Sequence, residues 1–335
     1  FDMPLDIGWV VDGTLHTQRI RLKDGKQSAV MRVAEDPSQI RVDPGGKAVL
    51  TLEFNPGDEK LRTQLTEAED VVGRILAAKE LCKTGKRQNI RAVADAWKKE
   101  PFWGVRVRFA EALAAAGTQV AVDALAELIG WEQDPMVLEP LLRRAAALRD
   151  PGIRAAVEAR LDGGLDLYRA RQAALEVLGA QRADAPYDRL VRAVAEDDPY
   201  GMGPTGAFRA LAGTRREEGL DVLLAHTRPG AVSNRSRPAA ATSAGVLAAL
   251  LERPYRARTA EALADLLRDE IDRVRLGAMA GLAALGEGRA IPALRAYRGG
   301  LSAQEKVGVG RAVERLRGAP GAPAPAAAKA HDARR

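Results

Sequence analysis

The chain has 335 residues, of which 46% are hydrophobic, 29% charged and 4% aromatic. That excludes a chain too polar to offset its ordering entropy, and no run reaches the roughly 18 apolar residues of a membrane-spanning helix. The formal charge is +6, yet residues 1–60 hold 8 basic and 10 acidic side chains and the later excess is interleaved with acids, so no nucleic-acid partner and no membrane partner are expected.

Taken in chain order, the opening Phe1-Asp2-Met3-Pro4 lacks both an initiator Met and a signal segment, and the expectation is a piece of a longer polypeptide. Residues 1–60 read as short strands. Ile20 and Leu22 alternate with Arg19, Arg21 and Lys23, and Asp24-Gly25 marks a hairpin turn. A second strand is predicted through Ala29, Met31 and Val33, a third from Ile40 to Val42, and a fourth through Leu50, Leu52 and Phe54. Asn55-Pro56-Gly57-Asp58 closes the region. So few strands make a thin layer with little core of its own, which predicts an incomplete β-sandwich.

From residue 61 the period changes to that of helices. Val71, Ile75, Ala78 and Cys82 share one face, as do Val105, Phe109, Leu113 and Ala116, and Val274, Ala278, Leu282 and Leu285. The landmarks Val72, Val105, Val137, Tyr168, Pro204, Pro238 and Val274 stand 33, 32, 31, 36, 34 and 36 residues apart. A step of that size marks a solenoid of helical hairpins, each burying its apolar face only against its neighbours. Gly and Pro punctuate the predicted turns at Gly117, Gly130, Pro151-Gly152, Gly163-Gly164, Pro199, Gly219, Pro229-Gly230 and Gly286 to Gly288. A capping helix is predicted from Ser302 to Leu316, and the Ala/Pro-rich stretch from Gly318 reads as a disordered tail. The expected organisation is a β-sandwich portion over 1–60, a helical-repeat domain over 61–317 and a tail over 318–335.

Chemistry-bearing residues are sparse. Cys82 is the single cysteine and lies on an apolar helical stripe, so a packing role is expected over a nucleophile. His16, His226 and His331 have no ligand-like spacing, and no HExxH, GxSxG, P-loop or dinucleotide-binding pattern occurs. No catalytic, cofactor-binding or metal residue is therefore assigned within this chain. Arg74, Arg106, Arg171 and Arg275 recur near the starts of four of the repeats and offer an inner surface to an acidic partner. The competing role, bonding to helix-end carbonyls or to acids of adjacent repeats, is the expected one, because repeated positions carry repeated packing duties.

The openings Asp70-Val71-Val72-Gly73-Arg74, Trp103-Gly104-Val105-Arg106 and Asp272-Arg273-Val274-Arg275 resemble the start of the second helix of a HEAT repeat. The expected fold is thus mainly α, a HEAT-like α-solenoid (an α-α superhelix) behind a small β layer. The junction Ile40-Arg41-Val42-Asp43-Pro44-Gly45-Gly46, followed by Asp70 to Ala78 and Glu100-Pro101-Phe102-Trp103-Gly104-Val105-Arg106, is similar to the carboxy-terminal half of zinc aminopeptidases of the aminopeptidase N family. The similarity covers about residues 1–130 and none of that family's catalytic motifs. It implies a parent that removes amino-terminal residues from peptides with a zinc-activated water. By that resemblance the partners are an upstream catalytic domain of the same polypeptide and, through it, a peptide substrate. Zinc would sit upstream, and the helical repeats would bound the substrate cavity. The alternative is a catalytically inactive HEAT scaffold for protein–protein interaction. The lack of disulfides favours a cytoplasmic setting.

Overall fold

A computed structural model describes residues 2–23, 28–33, 35–196, 198–297 and 302–319. The chain divides into two compact units, residues 1–164 and 165–335.

The first unit begins with a three-stranded antiparallel sheet in the order β2-β1-β3. β1 spans Asp2–Val11, β2 Thr14–Lys23 and β3 Gln39–Val42. The β1–β2 hairpin turns at Asp12-Gly13, whose φ values of 48° and 72° are both left-handed, as a tight two-residue hairpin requires. The predicted turn at Asp24-Gly25 lies outside the described residues. Two predicted strands are corrected. Residues 28–33 and 50–54 are irregular, because neither segment finds a hydrogen-bonded neighbour in the sheet. The alternation near Leu52 and Phe54 still has a cause: both are half-buried, and they line a small cavity with Ile40, Val42 and Leu61.

Seven helices follow in this unit: α1 (Asp58–Glu67), α2 (Val71–Lys83), α3 (Arg87–Lys99), α4 (Trp103–Ala116), α5 (Gln119–Trp131), α6 (Pro135–Ala145) and α7 (Pro151–Asp162). They form two layers, with α2, α4 and α6 packed in succession on one side and α1, α3, α5 and α7 on the other. The layers close over Leu81, Ile90, Trp97, Phe109, Leu125 and Leu138, each removed from solvent. Side-chain caps fix several starts: Asp70 accepts from Gly73 N–H, Thr118 from Ala121 N–H and Asp134 from Met136 N–H. Gly130, read as a turn residue, lies inside α5 beside its end.

The sheet meets the helices at one joint. Arg41, only 6% exposed, reaches Asp70 at 2.5 Å (Nη2–Oδ2), so one carboxylate both caps α2 and holds β3. Asp43 accepts from Lys47 N–H and Ala48 N–H on its two oxygens (3.1 and 2.8 Å). Pro44 packs on Gly8, where a Cβ would lie 2.6 Å from Pro44 Cγ, and a Cβ on Gly73 would lie 2.5 Å from the Arg41 guanidinium.

The second unit contains α8 (Tyr168–Ala180), α9 (Tyr187–Val194), α10 (Met202–Thr214), α11 (Glu218–Ala225), α12 (Arg237–Ala248), α13 (Arg253–Asp265), α14 (Asp272–Leu285), α15 (Ile291–Ala296) and α16 (Ala303–Leu316). Here α8, α10, α12, α14 and α16 stack in succession. The contacts are backbone on backbone: a Cβ on Gly245 would fall 2.0 Å from the Gly281 carbonyl oxygen, and one on Gly179 would fall 2.3 Å from that of Ala210. α16 starts with a capping box in which Ser302 accepts from Glu305 N–H and Glu305 accepts from Ser302 N–H. All seven sequence landmarks fall in the first turns of α2, α4, α6, α8, α10, α12 and α14.

Gly245→Ala therefore forces two helices apart and is expected to cost about 1–3 kcal/mol or more. Gly130→Ala, with open space where its Cβ would stand, is expected to stabilise by up to about 1 kcal/mol. Denaturant unfolding of the two variants checks the contrast; equal effects would contradict the close packing.

Candidate functional site

The even-numbered helices present their N-termini along an edge of each unit, and the predicted arginines lie there. Arg74, Arg106, Arg171 and Arg275 each stand four residues after their helix N-cap, on the first turn, where a long side chain reaches back over the preceding loop. None is left as a free cation. Arg74 donates through Nε and Nη2 to the two carboxylate oxygens of Glu100 (2.7 and 3.2 Å) and through Nη1 to the carbonyls of Ala68 and Glu69 (2.9 and 2.8 Å). Arg106 donates to the Glu100 carbonyl and to Asp134 Oδ2, each at 2.8 Å, and its Nε stands 3.1 Å from Glu132 without hydrogen-bond alignment. Arg171 pairs with Glu196 at 2.6 Å. Arg275 donates to Glu305 at 2.7 Å and to the carbonyls of Asp269 and Glu270 (2.8 and 3.0 Å).

Each arginine is tied to an acid of the following repeat, 25–30 residues on. Glu100 and Glu132 stand two residues before the N-caps of α4 and α6. Glu100 also accepts from Phe102 N–H, and Glu132 accepts from Asp134 N–H and from the indole N–H of buried Trp97 (3.0 Å). Sequence reading missed a further member, Arg237. It is 1% exposed, pairs with Asp269 and donates to the Thr227 carbonyl at 2.8 Å. Its position, one residue after the N-cap of α12, breaks the register that exposed the others.

The same edge carries solvent-facing apolar side chains. In the first unit these are Val71, Phe102, Trp103, Trp131 and Met136, with Phe102 and Trp103 in ring contact at 5.7 Å; in the second they are Leu167, Tyr168 and Tyr200. Tyr168 and Tyr200 meet edge to face at 5.1 Å beside a cleft lined by Asp166, Arg171, Glu196 and Asp198. The only sequence signal for this row is that most of its members sit at or just ahead of helix starts, with Trp131 closing α5 instead.

The remaining candidates are scattered. Cys82 is 2% exposed, and burial pushes its thiol up to about 12, far from the thiolate a nucleophile needs. His16 stacks on Trp9, while His226 holds the Val222 carbonyl through Nδ1 at 2.7 Å. His331 lies outside the described residues. Among the described residues no three His, Cys, Asp or Glu side chains converge on a point a metal could occupy, and no helix is long and apolar enough to cross a membrane.

A model of HEAT repeats matches residues 59–142, the segment from α1 to α6 that carries the Arg74 and Arg106 pairs. No curated protein matches the chain. Similar solved structures include human deoxyhypusine hydroxylase, with 16% identity over 78% of this chain and 96% of that one and a TM-score of 0.33. Another is the CpcE–CpcF complex of phycocyanin lyase from Nostoc sp. PCC7120, with 20% identity, 80% and 99% coverage and a TM-score of 0.44. A third is Legionella pneumophila aminopeptidase A, with 13% identity, 94% and 36% coverage and a TM-score of 0.29. The fold is that of a HEAT-like helical-repeat scaffold preceded by a three-stranded sheet.

The Arg275 pair gives the scaffold a pH dependence. The charge-assisted bond from Arg275, against opposing burial, holds the Glu305 carboxyl at about 2, below its ordinary 4.5. A carboxylate lowered in the folded state contributes stability that is present above the unfolded value and lost as pH falls. Thermal unfolding from pH 5 to pH 2 is expected to show a shallower acid decline for Glu305→Gln than for the parent chain. Parallel curves would remove this pair from the acid response.

Proposed function

We propose that this chain is the non-catalytic carboxy-terminal portion of a zinc aminopeptidase that removes amino-terminal residues from peptides, with its helical repeats bounding the substrate cavity. The observation that carries the reading is the joint between sheet and repeats. The residues on which the resemblance to the aminopeptidase N family rests, Arg41, Asp43, Pro44, Asp70, Gly73 and Arg74, all have fixed duties at that joint or beside it. Residues placed in this way preserve the angle between a strand layer and a repeat stack, which is the duty a lid bordering a neighbouring catalytic domain requires. The zinc ligands belong, on this reading, to a domain preceding Phe1, and the contribution of these residues is shape and electrostatics.

A second reading, a zinc-free scaffold for protein–protein interaction, is supported by the solvent-facing aromatic row at the N-terminal edge of α4 and α8, since exposed aromatic side chains are enriched where proteins meet. One experiment separates the two: sequencing the reading frame upstream of Phe1. The aminopeptidase reading expects an HExxH helix with a further Glu downstream of it. An upstream fold without those ligands overturns it in favour of the scaffold. In parallel, the chain itself is expected to release no amino acid from aminoacyl reporter substrates with or without added zinc, and chelator-sensitive turnover by the purified chain would contradict the non-catalytic assignment.

A further inference from the structure

A cleft of about 320 Å³ opens between the sheet and the α1–α2 turn of the first unit. Its strand side is apolar, formed by Val10, Leu15 and Pro44, and its helix side carries Glu67 and Glu69. Both glutamates are exposed, and no ion-pair partner for either side chain is found among the described residues. The one guanidinium in the wall, Arg41, is already committed to Asp70 at 2.5 Å. The cleft is therefore electronegative in a chain whose overall charge is +6.

A second observation is independent of the acids. Gln39, at the start of β3, lines the cleft and is 3% exposed, and its side-chain Oε1 has no hydrogen-bond partner. A buried acceptor left unpaired is costly, and a donor brought to it recovers that cost. An apolar wall, an unpaired acceptor and a carboxylate rim together match one chemistry: a cationic hydrogen-bond donor on an aliphatic stem.

We propose that this cleft binds a lysine or arginine side chain of a peptide or partner protein. The stem lies along Val10, Leu15 and Pro44, the cationic head faces Glu67 and Glu69, and one of its N–H groups donates to Gln39 Oε1. The inference needs only the scaffold reading and makes no use of zinc chemistry, so its failure and the failure of the aminopeptidase reading are separately visible.

The test is a calorimetric titration of the whole chain with the blocked tripeptide Gly-Arg-Gly, its lysine counterpart, its citrulline counterpart and free agmatine. Citrulline keeps the shape of arginine and removes the charge. The arginine or lysine peptide is expected to bind about tenfold or more tighter than the citrulline peptide, with binding weakening as salt is raised. Glu67→Gln combined with Glu69→Gln, both surface changes, is expected to reduce that affinity about tenfold. Gln39→Leu is expected to reduce it as well, while Gln39→Glu, which keeps an acceptor, retains it; circular dichroism of each variant confirms folding. Equal affinity for the citrulline peptide, or no binding by either cationic peptide at millimolar concentration, overturns the site. Agmatine binding as tightly as the peptide overturns the assignment to a peptide side chain.

Discussion

The repeat stack depends on a charge pair that spans neighbours. An arginine on the first turn of an even-numbered helix folds back over its own entry loop and meets a carboxylate at the entry to the next even-numbered helix, just ahead of it for Glu100 and Glu132 and in its first turn for Glu305. The pair does three things at once. It satisfies carbonyls of the incoming loop, it orders the carboxylate that in turn accepts from helix-start N–H groups, and it fixes the offset between one hairpin and the next. A carboxylate as buried as Glu100 or Glu132 is costly to hold unless it is paired and fully hydrogen-bonded, and both are. Such a pair selects one register of stacking over others, because a slipped register would strand both charges.

The two units solve the same stacking problem with different side chains. In the first, Phe109, Leu113, Leu125 and Leu138 fill the space between layers. In the second, glycine and alanine let backbones touch, as at Gly245 against Gly281 and Gly206 against Gln172. Close contact of this kind trades apolar area for many short-range dispersion contacts.

Much of this was legible in the residues because repeats restate themselves. Val72, Val105 and Val274 recur within a residue of the same place in the first turn, so period and helix starts could be read from spacing alone. The sheet was harder. Asp12-Gly13 is a short turn signal that only the pairing of β1 with β2 identifies as a hairpin. The Leu52 and Phe54 alternation records burial against α1 and β3 without a hydrogen-bonded ladder, a distinction that side-chain pattern does not encode. The arginines were visible as a series, and their packing role was the expected one, but each partner lies 25–30 residues away and is recognised only in space. Arg237 and the unpaired Gln39 gave no signal, since each depends on what surrounds it and not on a motif.

Function follows from what the scaffold leaves over once its charges are paired. The four arginines that the sequence offered to an acidic partner are consumed internally, and the apolar side chains that face solvent at that edge include Phe102, Trp103, Tyr168 and Tyr200. The account stands on the inter-repeat pair, and a double-mutant cycle at Arg74 and Glu100 tests it most directly. Arg74→Ala, Glu100→Ala and the double variant are compared by denaturant unfolding. A coupling of about 1–3 kcal/mol is predicted, with the double variant less damaged than the sum of the singles. Additive losses, with coupling within about 0.3 kcal/mol of zero, would contradict the claim that this pair sets the stack.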